Sequence, residues 1–441
     1  MDKMISHENG QKTARTIALL TLGCKLNYAE TSTYERGFNA AGLTTVPWGD
    51  GADVYLINTC SVTETSDKKS RSIIRKLHRV NPDAVIIVTG CYAELKREEV
   101  EAIDGVSLVF GAKEKNRLVA DSLNWIRGTA MTREDYERKG LAEEYREISK
   151  ETLPAYSVGG RTRSFLKVQD GCNNFCAYCT VPYARGESRN IPICEIIRQA
   201  EAIAASGTKE IVLTGVNTGD FGRSTGESFL DLIKALNCVE GIERYRISSI
   251  EPNLITEEIV DWIASGTRFL PHFHIPLQTG SDTLLKKMGR HYDTEFFRSR
   301  IEYIRSRMEG PGKPKVFFGI DVMAGLPGET EELFTETYDF ITSIRPAFIH
   351  VFPYSRRPGT RAAEWPGQVP EEVKAERVHR LEELCERLHA AFVEENRGVR
   401  EKVLFESKEK DGNMSGFTRN YIKITRPYDA SLVGKVSDII I

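Results

Sequence analysis

A cysteine-rich segment constrains this chain more than any other feature of its sequence. Residues 171–179 read GCNNFCAYC and place Cys172, Cys176 and Cys179 in a C-x3-C-x2-C spacing. Thiolates are the usual ligands of iron–sulfur clusters, and a cubane 4Fe–4S cluster normally takes four of them. Three thiolates in one loop therefore leave one iron open to a small molecule. Zinc is the alternative metal for these cysteines, but zinc sites usually combine two C-x-x-C pairs, and the sequence has no second pair.

Length and composition are those of an ordinary multidomain protein. The 441 residues allow two or three domains, and the net charge of −3 indicates no particular partner. No apolar run approaches the length of a membrane span, and residues 1–14 lack the apolar core of a signal peptide. We therefore expect a cytoplasmic protein without membrane association, whose nine cysteines are metal ligands or buried thiols rather than disulfides.

Apolar runs alternate with amphipathic patterns along most of the chain, which indicates the α/β class. Short runs at residues 17–22, 54–57 and 85–88 predict a parallel sheet of the Rossmann or flavodoxin type, in a domain of residues 1–150. Six strand–helix repeats between residues 163 and 359 predict a partial TIM-type (β/α)6 barrel.

The barrel and a long amphipathic helix at residues 371–395 together form a predicted domain of residues 151–396. Alternating apolar residues after Gly398 then predict a small all-β module at residues 397–441, with strands near residues 403–406, 421–425 and 432–433. The turn at residues 325–330 lacks the lysine of a phosphate-binding loop and is interpreted as a strand-to-helix connection.

Three further cysteines occupy equivalent places in the first domain. Cys24, Cys60 and Cys91 each follow an apolar strand, in the words LLTLGC, YLINTC and IIVTGC. The carboxyl ends of neighbouring parallel strands meet at one crevice, so we expect the three thiols to converge. We interpret them as ligands of a second cluster with an open iron, and buried thiols without a ligand are the alternative. The remaining cysteines lie in helical patterns and are interpreted as packing residues: Cys194, Cys238 and Cys385.

The sequence words around both cysteine sets resemble the methylthiotransferase family of radical S-adenosylmethionine (SAM) enzymes. They are LGCKLN at residues 22–27, NTC at 58–60, TGCY at 89–92 and TVPYARG at 180–186. The resemblance covers nearly the whole chain and implies an amino-terminal cluster domain, a radical SAM barrel and a terminal RNA-binding module of the TRAM type. Lys25 makes the chain most similar to the branch that modifies threonylcarbamoyladenosine (t6A) at position 37 of tRNA. The branches acting on isopentenyladenosine of tRNA or on a ribosomal-protein aspartate usually have Gln or Pro there.

This resemblance implies two 4Fe–4S clusters and SAM as cofactors, with all six cysteines as catalytic cluster ligands. The cluster on the 172–179 loop would reduce SAM to a 5′-deoxyadenosyl radical, which abstracts the hydrogen at carbon 2 of the adenine. The other cluster would hold the inserted sulfur, and a second SAM would supply the methyl group. The implied partners are the tRNA anticodon loop, an electron donor such as a flavodoxin or ferredoxin, and a sulfur donor. A zinc-stabilised RNA-binding protein is the non-enzymatic alternative.

Candidate SAM contacts lie next to the cysteine loop or at the ends of predicted barrel strands, where TIM-type barrels place their sites. Tyr178 resembles the aromatic residue that lies against the SAM adenine, and the fork of Arg185 matches the SAM carboxylate. For Tyr178 loop packing is the alternative, and His272 and His274 are interpreted as core residues or as residues that support the site without contacting SAM. The cofactor-binding candidates are Tyr178, Arg185, Thr214, Gly215, Ser248, Glu251, Gln278 and Asp321.

Candidate RNA contacts combine a basic helix near Cys60 with basic and aromatic residues of the terminal module. Basic side chains bind the RNA backbone, and aromatic rings stack on unpaired bases. A solvated helix face is the alternative for the charged helix at residues 67–80. The RNA-binding candidates are Lys68, Lys69, Arg71, Arg75, Phe417, Arg419, Tyr421 and Lys423.

Overall fold

The computed structural model describes residues 14–129, 152–159 and 161–441. The chain divides into two compact units. The first contains Met1–Ala155 and Tyr183–Arg185, and the second contains Tyr156–Pro182 and Gly186–Ile441. The chain therefore leaves the first unit after Ala155 and returns to it for one short segment.

The first unit is built on a parallel sheet with the strand order β2-β1-β3-β4-β5. Strands β3 and β4 are buried along their whole length, as expected for continuous apolar strands with both faces covered. Their register aligns Asn58 with Thr21 on one side and with Thr89 on the other, so the carboxyl ends lie level. This confirms the predicted parallel sheet. The strands are β1 (Thr16–Thr21), β2 (Thr44–Thr45), β3 (Val54–Thr59), β4 (Val85–Gly90) and β5 (Val106–Phe110).

Two helices of the first unit begin directly at cysteines that end the strands. Cys24 is the N-cap of the first helix, and Cys91 is the first residue of the third. Thr63 is the N-cap of the second helix, and its hydroxyl accepts a hydrogen bond from the Ser66 amide, a common capping arrangement. The helices are α1 (Lys25–Ala40), α2 (Glu64–Val80), α3 (Cys91–Leu95), α4 (Arg97–Glu101) and α5 (Leu118–Ile126).

The second unit contains an open barrel of parallel strands arranged in chain order. Hydrogen bonds join β6-β9-β10 and β11-β12-β13, and the bridges Tyr245–Phe269 and Ser249–His274 connect the two groups. The short strands β7 and β8 pair antiparallel beside the cysteine loop. This confirms the predicted (β/α)6 barrel. The strands are β6 (Arg163–Lys167), β7 (Gln169–Asp170), β8 (Arg189–Asn190), β9 (Glu210–Thr214), β10 (Arg244–Ile247), β11 (His272–Gln278), β12 (Phe317–Ala324) and β13 (Phe348–Pro353).

Helices cover the outer face of this barrel. Ser228, Thr256 and Thr330 each cap one of these helices, because their side chains accept a hydrogen bond from a backbone amide of the first turn. No helix in the described ranges is long and apolar enough to cross a membrane. The helices are α6 (Val181–Arg185), α7 (Ile193–Ala205), α8 (Phe229–Asn237), α9 (Glu257–Ala264), α10 (Asp282–Met288), α11 (Thr294–Met308), α12 (Glu331–Ile344) and α13 (Glu371–Glu395).

The three cysteines in these helical regions differ in exposure. Cys385 of α13 is buried, as the packing interpretation requires. Cys194 and Cys238 are exposed, so the packing interpretation is wrong for these two. Cys194 lies in the first turn of α7 and Cys238 is the C-cap of α8, where side chains at helix ends reach solvent.

The carboxy-terminal module is an antiparallel sheet with the strand order β16-β15-β14-β17. The predicted strand at residues 421–425 begins later, because Tyr421 adopts a left-handed φ of +66° in a turn. The apolar pair at residues 432–433 ends a short 3-10 turn rather than forming a strand. Two strands were missed because their residues include Asn413, Gly416 and Asp438, which have low strand propensity. The strands are β14 (Arg400–Lys410), β15 (Asn413–Phe417), β16 (Lys423–Pro427) and β17 (Val436–Ile440).

Candidate metal centres and cofactor site

The three cysteines of the first unit meet at the carboxyl edge of its sheet. Cys24 is exposed, and Cys60, directly after β3, is 8% exposed. Gly23 allows their close approach: it adopts a φ of +99°, and a Cβ atom there would lie 2.6 Å from the Cys60 Cβ and 2.9 Å from its Sγ. Only glycine tolerates both the left-handed backbone and this contact. The predicted convergence of these strand ends therefore has a geometric basis in the structure.

Burial raises the pKa of two of these thiols, Cys60 and Cys91, and so favours their protonated form. Burial raises the pKa of Cys60 to about 11, with smaller contributions from Cys91 and Cys24. Burial also raises the pKa of Cys91, while Arg185 and Lys115 act in the opposite direction. These thiols disfavour the free thiolate and lie close enough to raise one another's pKa. They suit a metal centre, because a bound metal replaces the proton.

Asn27 of α1 ties together the strand ends that carry two of the cysteines. Its side-chain amide donates to the carbonyl oxygens of Leu22 and Thr59, each at 2.9 Å. Its Oδ1 atom lies 3.7 Å from the Cys24 Sγ and accepts its hydrogen bond. A buried amide with these partners holds the first two cysteine-bearing turns in a fixed relation.

Arg185 belongs to the amino-terminal site. It ends α6 and lies in the first unit, where its Nη1 is 3.4 Å from Glu30 Oε1 and its Nη2 donates to Asn27 Oδ1. Lys115 Nζ lies 3.0 Å from the same Glu30 oxygen, and the side chains of all three charged residues are 5% exposed or less. The predicted pairing of Arg185 with the SAM carboxylate stays a prediction. Sequence reasoning missed Glu30 and Asn27 as partners of Arg185, because both lie far away along the chain.

The second set of cysteines lies in a loop after β7, and contacts of the backbone fix the conformation of this loop. Gly171 opens the loop with a φ of +73°, and a Cβ atom there would lie 1.9 Å from the Glu187 carbonyl oxygen. The amide of Asn174 donates to Cys172 Sγ at 3.5 Å, and that of Val181 to Cys179 Sγ at 3.4 Å. Hydrogen bonds of this kind stabilise and tune cluster-bound thiolates.

Burial raises the pKa of both outer thiols of this loop. The pKa of Cys172 is raised, and that of Cys179 reaches about 12, with Cys176 adding to both shifts. The three thiols therefore lie close together in a poorly hydrated place. Their chemistry and spacing fit a cluster held by three thiolates.

Arg290 is a functional candidate that the sequence analysis missed. Its Nη1 donates to Cys176 Sγ at 3.2 Å, its Nη2 donates to Glu251, and its Nε donates to the Tyr292 hydroxyl at 3.0 Å. Glu251 is thereby linked to the cysteine loop through a guanidinium group. Its predicted contact with SAM stays a prediction. Nothing in the sequence around Arg290 marks this role, since it simply follows Gly289 at the end of α10.

Gln169 is a second missed residue, and it connects the cysteine loop to the turn after β9. Its Nε2 donates to the Gly171 carbonyl at 2.7 Å, and its Oε1 accepts from the amides of Val216 and Asn217 at 2.9 and 3.0 Å. A Cβ atom at Gly215 would lie 3.0 Å from this Oε1. The predicted glycine position therefore brings a backbone turn close to the cysteine loop.

Ser248 supplies the observation that tests whether SAM fits here. Its Oγ is buried and has no hydrogen-bond partner among the residues of known placement. A buried hydroxyl left without a partner costs about 1–3 kcal/mol, so a polar ligand group at this strand end would complete it. Thr214, in contrast, donates to the Val212 carbonyl at 3.3 Å, so its hydroxyl serves the strand itself.

The remaining predicted SAM contacts lie on the cysteine loop and on the inner face of the barrel. Tyr178 packs with Met323 against an apolar cluster that includes Met288, and burial raises its pKa well above the ordinary value. Gln278 adopts a left-handed φ of +70° at an irregularity in the β11–β12 register. Asp321 Oδ1 lies 2.8 Å from His274 Nε2. These SAM contacts stay predictions.

The predicted RNA contacts on helix α2 differ in exposure and in ion pairing. Lys69 and Arg75 are exposed. Lys68 is exposed but pairs with Glu64 at 3.0 Å, and Arg71 is half-buried with Glu99 at 2.7 Å. The exposed part of the helix therefore fits a contact with an RNA backbone better than Arg71 does.

The aromatic pair of the terminal module is engaged within the second unit. Arg163 stacks over the rings of Phe417 and Tyr421, at 4.8 and 5.5 Å from their centroids, and Arg246 lies 4.7 Å from the Tyr421 centroid. Arg419 forms an ion pair with Glu401. Phe417, Arg419 and Tyr421 therefore have partners within the second unit, and their predicted contacts with RNA stay predictions. Lys423 is exposed.

Comparisons with known proteins agree with this division into two sites. Residues 16–111 match a family described as uncharacterized protein family UPF0004, and residues 166–341 match the radical SAM superfamily. A threonylcarbamoyladenosine tRNA methylthiotransferase MtaB from Bacillus subtilis is 40% identical over 96% of this chain and 92% of its own length. A tRNA-2-methylthio-N(6)-dimethylallyladenosine synthase from Carboxydothermus hydrogenoformans is 31% identical over 95% of this chain and 94% of its own.

A solved structure shows the same fold at low sequence identity. The radical SAM methyltransferase TsrM from Kitasatospora setae, with tryptophan and a SAM analogue bound, is 16% identical with a TM-score of 0.57. The alignment covers 79% of this chain and 75% of that one. The near-full-length identity to the curated relatives, together with the two three-cysteine sites, establishes that this chain belongs to the radical SAM methylthiotransferase family, whose members use 4Fe–4S clusters and SAM.

Proposed function

We propose that this enzyme methylthiolates carbon 2 of t6A at position 37 of tRNA, giving 2-methylthio-t6A. The observation that carries the proposal is the pair of three-cysteine sites, each at the carboxyl ends of parallel strands in its own compact unit. The choice of t6A is supported by the 40% identical relative of that name, compared with 31% for the dimethylallyladenosine relative.

When bound, the two clusters and SAM supply the radical, the sulfur and the methyl group. The chain supplies ligands, orientation and exclusion of water. Arg290 and the loop amides stabilise thiolate charge, and Gln169 fixes the turn at Gly215. In the first unit, Asn27 holds the cysteine-bearing turns.

The proposed partners follow from this reaction. The exposed basic face of α2 suits the backbone of the tRNA anticodon arm. An electron donor such as a flavodoxin or ferredoxin would reduce the radical SAM cluster, and a sulfur donor would renew the sulfur used in each turnover. Since the substrate is tRNA, we expect the enzyme to act in the cytoplasm.

Nucleoside mass spectrometry tests the proposal. In a host that lacks the gene, expression of the chain should produce 2-methylthio-t6A in tRNA. Cys24→Ala and Cys172→Ala should each abolish this product, and Cys238→Ala, at an exposed cysteine outside both sites, should retain it. Appearance of methylthio-isopentenyladenosine instead, or of a methylthio group on a ribosomal protein, would contradict the assignment to t6A.

The purified variants should separate the roles of the two sites. The enzyme should contain about eight irons, and replacing all three cysteines of either set should leave about four. Without the cysteines of the first unit, the enzyme should still cleave SAM to 5′-deoxyadenosine but form no methylthio product. Without the 172–179 cysteines, it should do neither.

A further inference from the structure

Three polar side chains meet on adjacent strands of the barrel. They are His274 of β11, Asp321 of β12 and His350 of β13, and their ligand atoms all lie within 4.8 Å of one another. Asp321 and His350 are paired in register, and Asp321 Oδ1 lies 2.8 Å from His274 Nε2. The two imidazole rings have centroids 5.1 Å apart. We call these residues the inner-face cluster.

The inner-face cluster points into the barrel and is reachable from solvent. Successive strand residues alternate between faces, and the intervening Ile275, Ile320 and Ile349 pack into the main core beneath the helices. The side chains of His274 and Asp321 are each 20% exposed, and His350 is exposed. His272, in contrast, is buried and stacks on Phe317.

An exposed aromatic residue lies next to the cluster, toward the carboxyl ends of the strands. Phe352 is two residues beyond His350 on the same face of β13, is 49% exposed and pairs in register with Met323. Met323 packs in the same apolar cluster as Tyr178 of the cysteine loop. The aromatic surface and the polar cluster therefore adjoin the place where the radical SAM cysteines lie.

We infer that this part of the barrel binds the modified adenosine, with the base on Phe352 and its N6 substituent in the inner-face cluster. The inference rests on the proposed function and assigns the residues that select the substrate. Unpaired RNA bases stack on exposed aromatic rings, and polar side chains then read their edges.

The chemistry of the cluster matches a threonylcarbamoyl group. This group carries a carboxylate, a hydroxyl and urea N–H groups, so it needs both donors and acceptors. Imidazole N–H groups donate to a carboxylate, and the Asp321 carboxylate orients His274 and accepts from a hydroxyl or N–H. An isopentenyl group forms none of these hydrogen bonds. Its binding would therefore remove water from the cluster without replacing the hydrogen bonds of that water. Sites built to hydrogen-bond a substrate discriminate strongly against analogues that lack the bonding groups.

The test uses the holoenzyme and three anticodon stem-loops that differ only at position 37, which carries t6A, isopentenyladenosine or adenosine. The wild type should show its highest kcat/KM for methylthiolation on t6A. His350→Gln and Asp321→Asn should each lower this value at least tenfold and remove most of the preference over unmodified adenosine. His379→Gln, at an exposed position of α13, is the matched control and should behave as wild type.

Phe352→Leu separates stacking from readout of the substituent. Because every base has a π-face, loss of the ring should weaken binding of all three stem-loops by a similar factor, about tenfold. A Phe352→Leu variant that binds all three as tightly as wild type would overturn the assignment of the base.

Two other results would overturn the assignment of the cluster. One is a His350→Gln enzyme that keeps the full preference for t6A. The other is a third metal, distinct from cluster iron in elemental analysis, that is present in the wild type and lost in both cluster variants. A wild type that methylthiolates another loop but not t6A would instead contradict the proposed function, and the inference would fall with it.

Discussion

Burial sets the acidity of the cysteine that follows β3. Cys60 is 8% exposed, and its pKa is raised to about 11, above the ordinary value for a thiol. Below its pKa, the thiolate fraction rises tenfold for each pH unit. A thiol with this pKa keeps gaining reactivity in a range where an ordinary thiol has reached its limit.

We therefore expect alkylation of Cys60 by iodoacetamide in the metal-free protein to keep accelerating, by about tenfold per unit, between pH 9 and 10.5. Peptide mass spectrometry would measure the rate, with the exposed Cys238 as a reference for reagent access. A rate that levels off near pH 9 would show that the thiol is not held in its neutral form.

Among individual residues, the sequence identified those whose role is indicated by nearby positions in the chain. The six cluster cysteines stand out through their spacing or through the strands that precede them. Arg290 and Gln169 do not, because their contacts come from segments brought together only by folding. The partner Glu30 of Arg185 was missed for the same reason, since it lies 155 positions away.

Among the elements, α2 presents a charged surface that sequence pattern and structure describe alike. Its exposed residues Arg75, Lys76 and Arg79 follow the two lysines Lys68 and Lys69 along one helix. Basic side chains that neutralise phosphates release counterions, and this makes binding salt-dependent.

Reversal of three of these charges, in an Arg75→Glu, Lys76→Glu, Arg79→Glu enzyme, should weaken tRNA binding. The slope of log Kd against log salt concentration should fall by about 2, at roughly 0.7 per lost contact with single-stranded phosphate. Fluorescence anisotropy with labelled tRNA would measure it, with Arg198→Glu on α7 as control, since that side chain is 73% exposed. An unchanged slope would place the tRNA elsewhere.

Elements could be predicted wherever periodicity and capping residues agree. Thr256 and Thr330, for example, cap the first turns of α9 and α12 through their side chains. The terminal sheet was less predictable, because β15 contains Asn413 and Gly416 and is held by its neighbours rather than by its own propensity.

One buried carboxylate forms ion pairs at the junction of the barrel and the terminal sheet in the second unit. Glu210, at the start of β9, is fully buried and lies 2.6 Å from Arg244 Nη2 and 3.1 Å from Arg246 Nε. Arg244 and Arg246 also donate to the carbonyl oxygens of Phe417 and Arg419, at 3.1 and 3.2 Å. The charge group therefore connects the barrel strands to the terminal sheet.

Glu210→Gln should destabilise the metal-free protein by about 3–5 kcal/mol at pH 7, because buried arginines would lose a counter-charge. Burial alone would raise the pKa of Glu210, but Arg246, Arg244 and Arg163 lower it from 4.5 to about 2. Between these values the unfolded chain binds more protons than the folded one, so this stabilisation is complete above about pH 4.5 and is lost toward pH 2.

Urea unfolding followed by circular dichroism from pH 7 to pH 3 would measure the difference between wild type and variant. The difference should shrink as the pH falls below about 4.5. Glu240→Gln, at an exposed position, is the control and should leave the free energy of unfolding within about 0.5 kcal/mol of wild type. A difference independent of pH would mean that Glu210 acts through packing and not through its charge.

The return of the chain to the first unit at Tyr183–Arg185 has a consequence for how such proteins are inherited. A recombination event that exchanged everything before Ala155 would transfer Glu30 and Lys115 but leave Arg185 behind in the recipient gene. The incoming half would then meet whatever residue the recipient encodes at that place. A chimaera joined at Ala155 would therefore keep the pairing of Glu30 with Arg185 only if the recipient gene also encodes arginine at position 185.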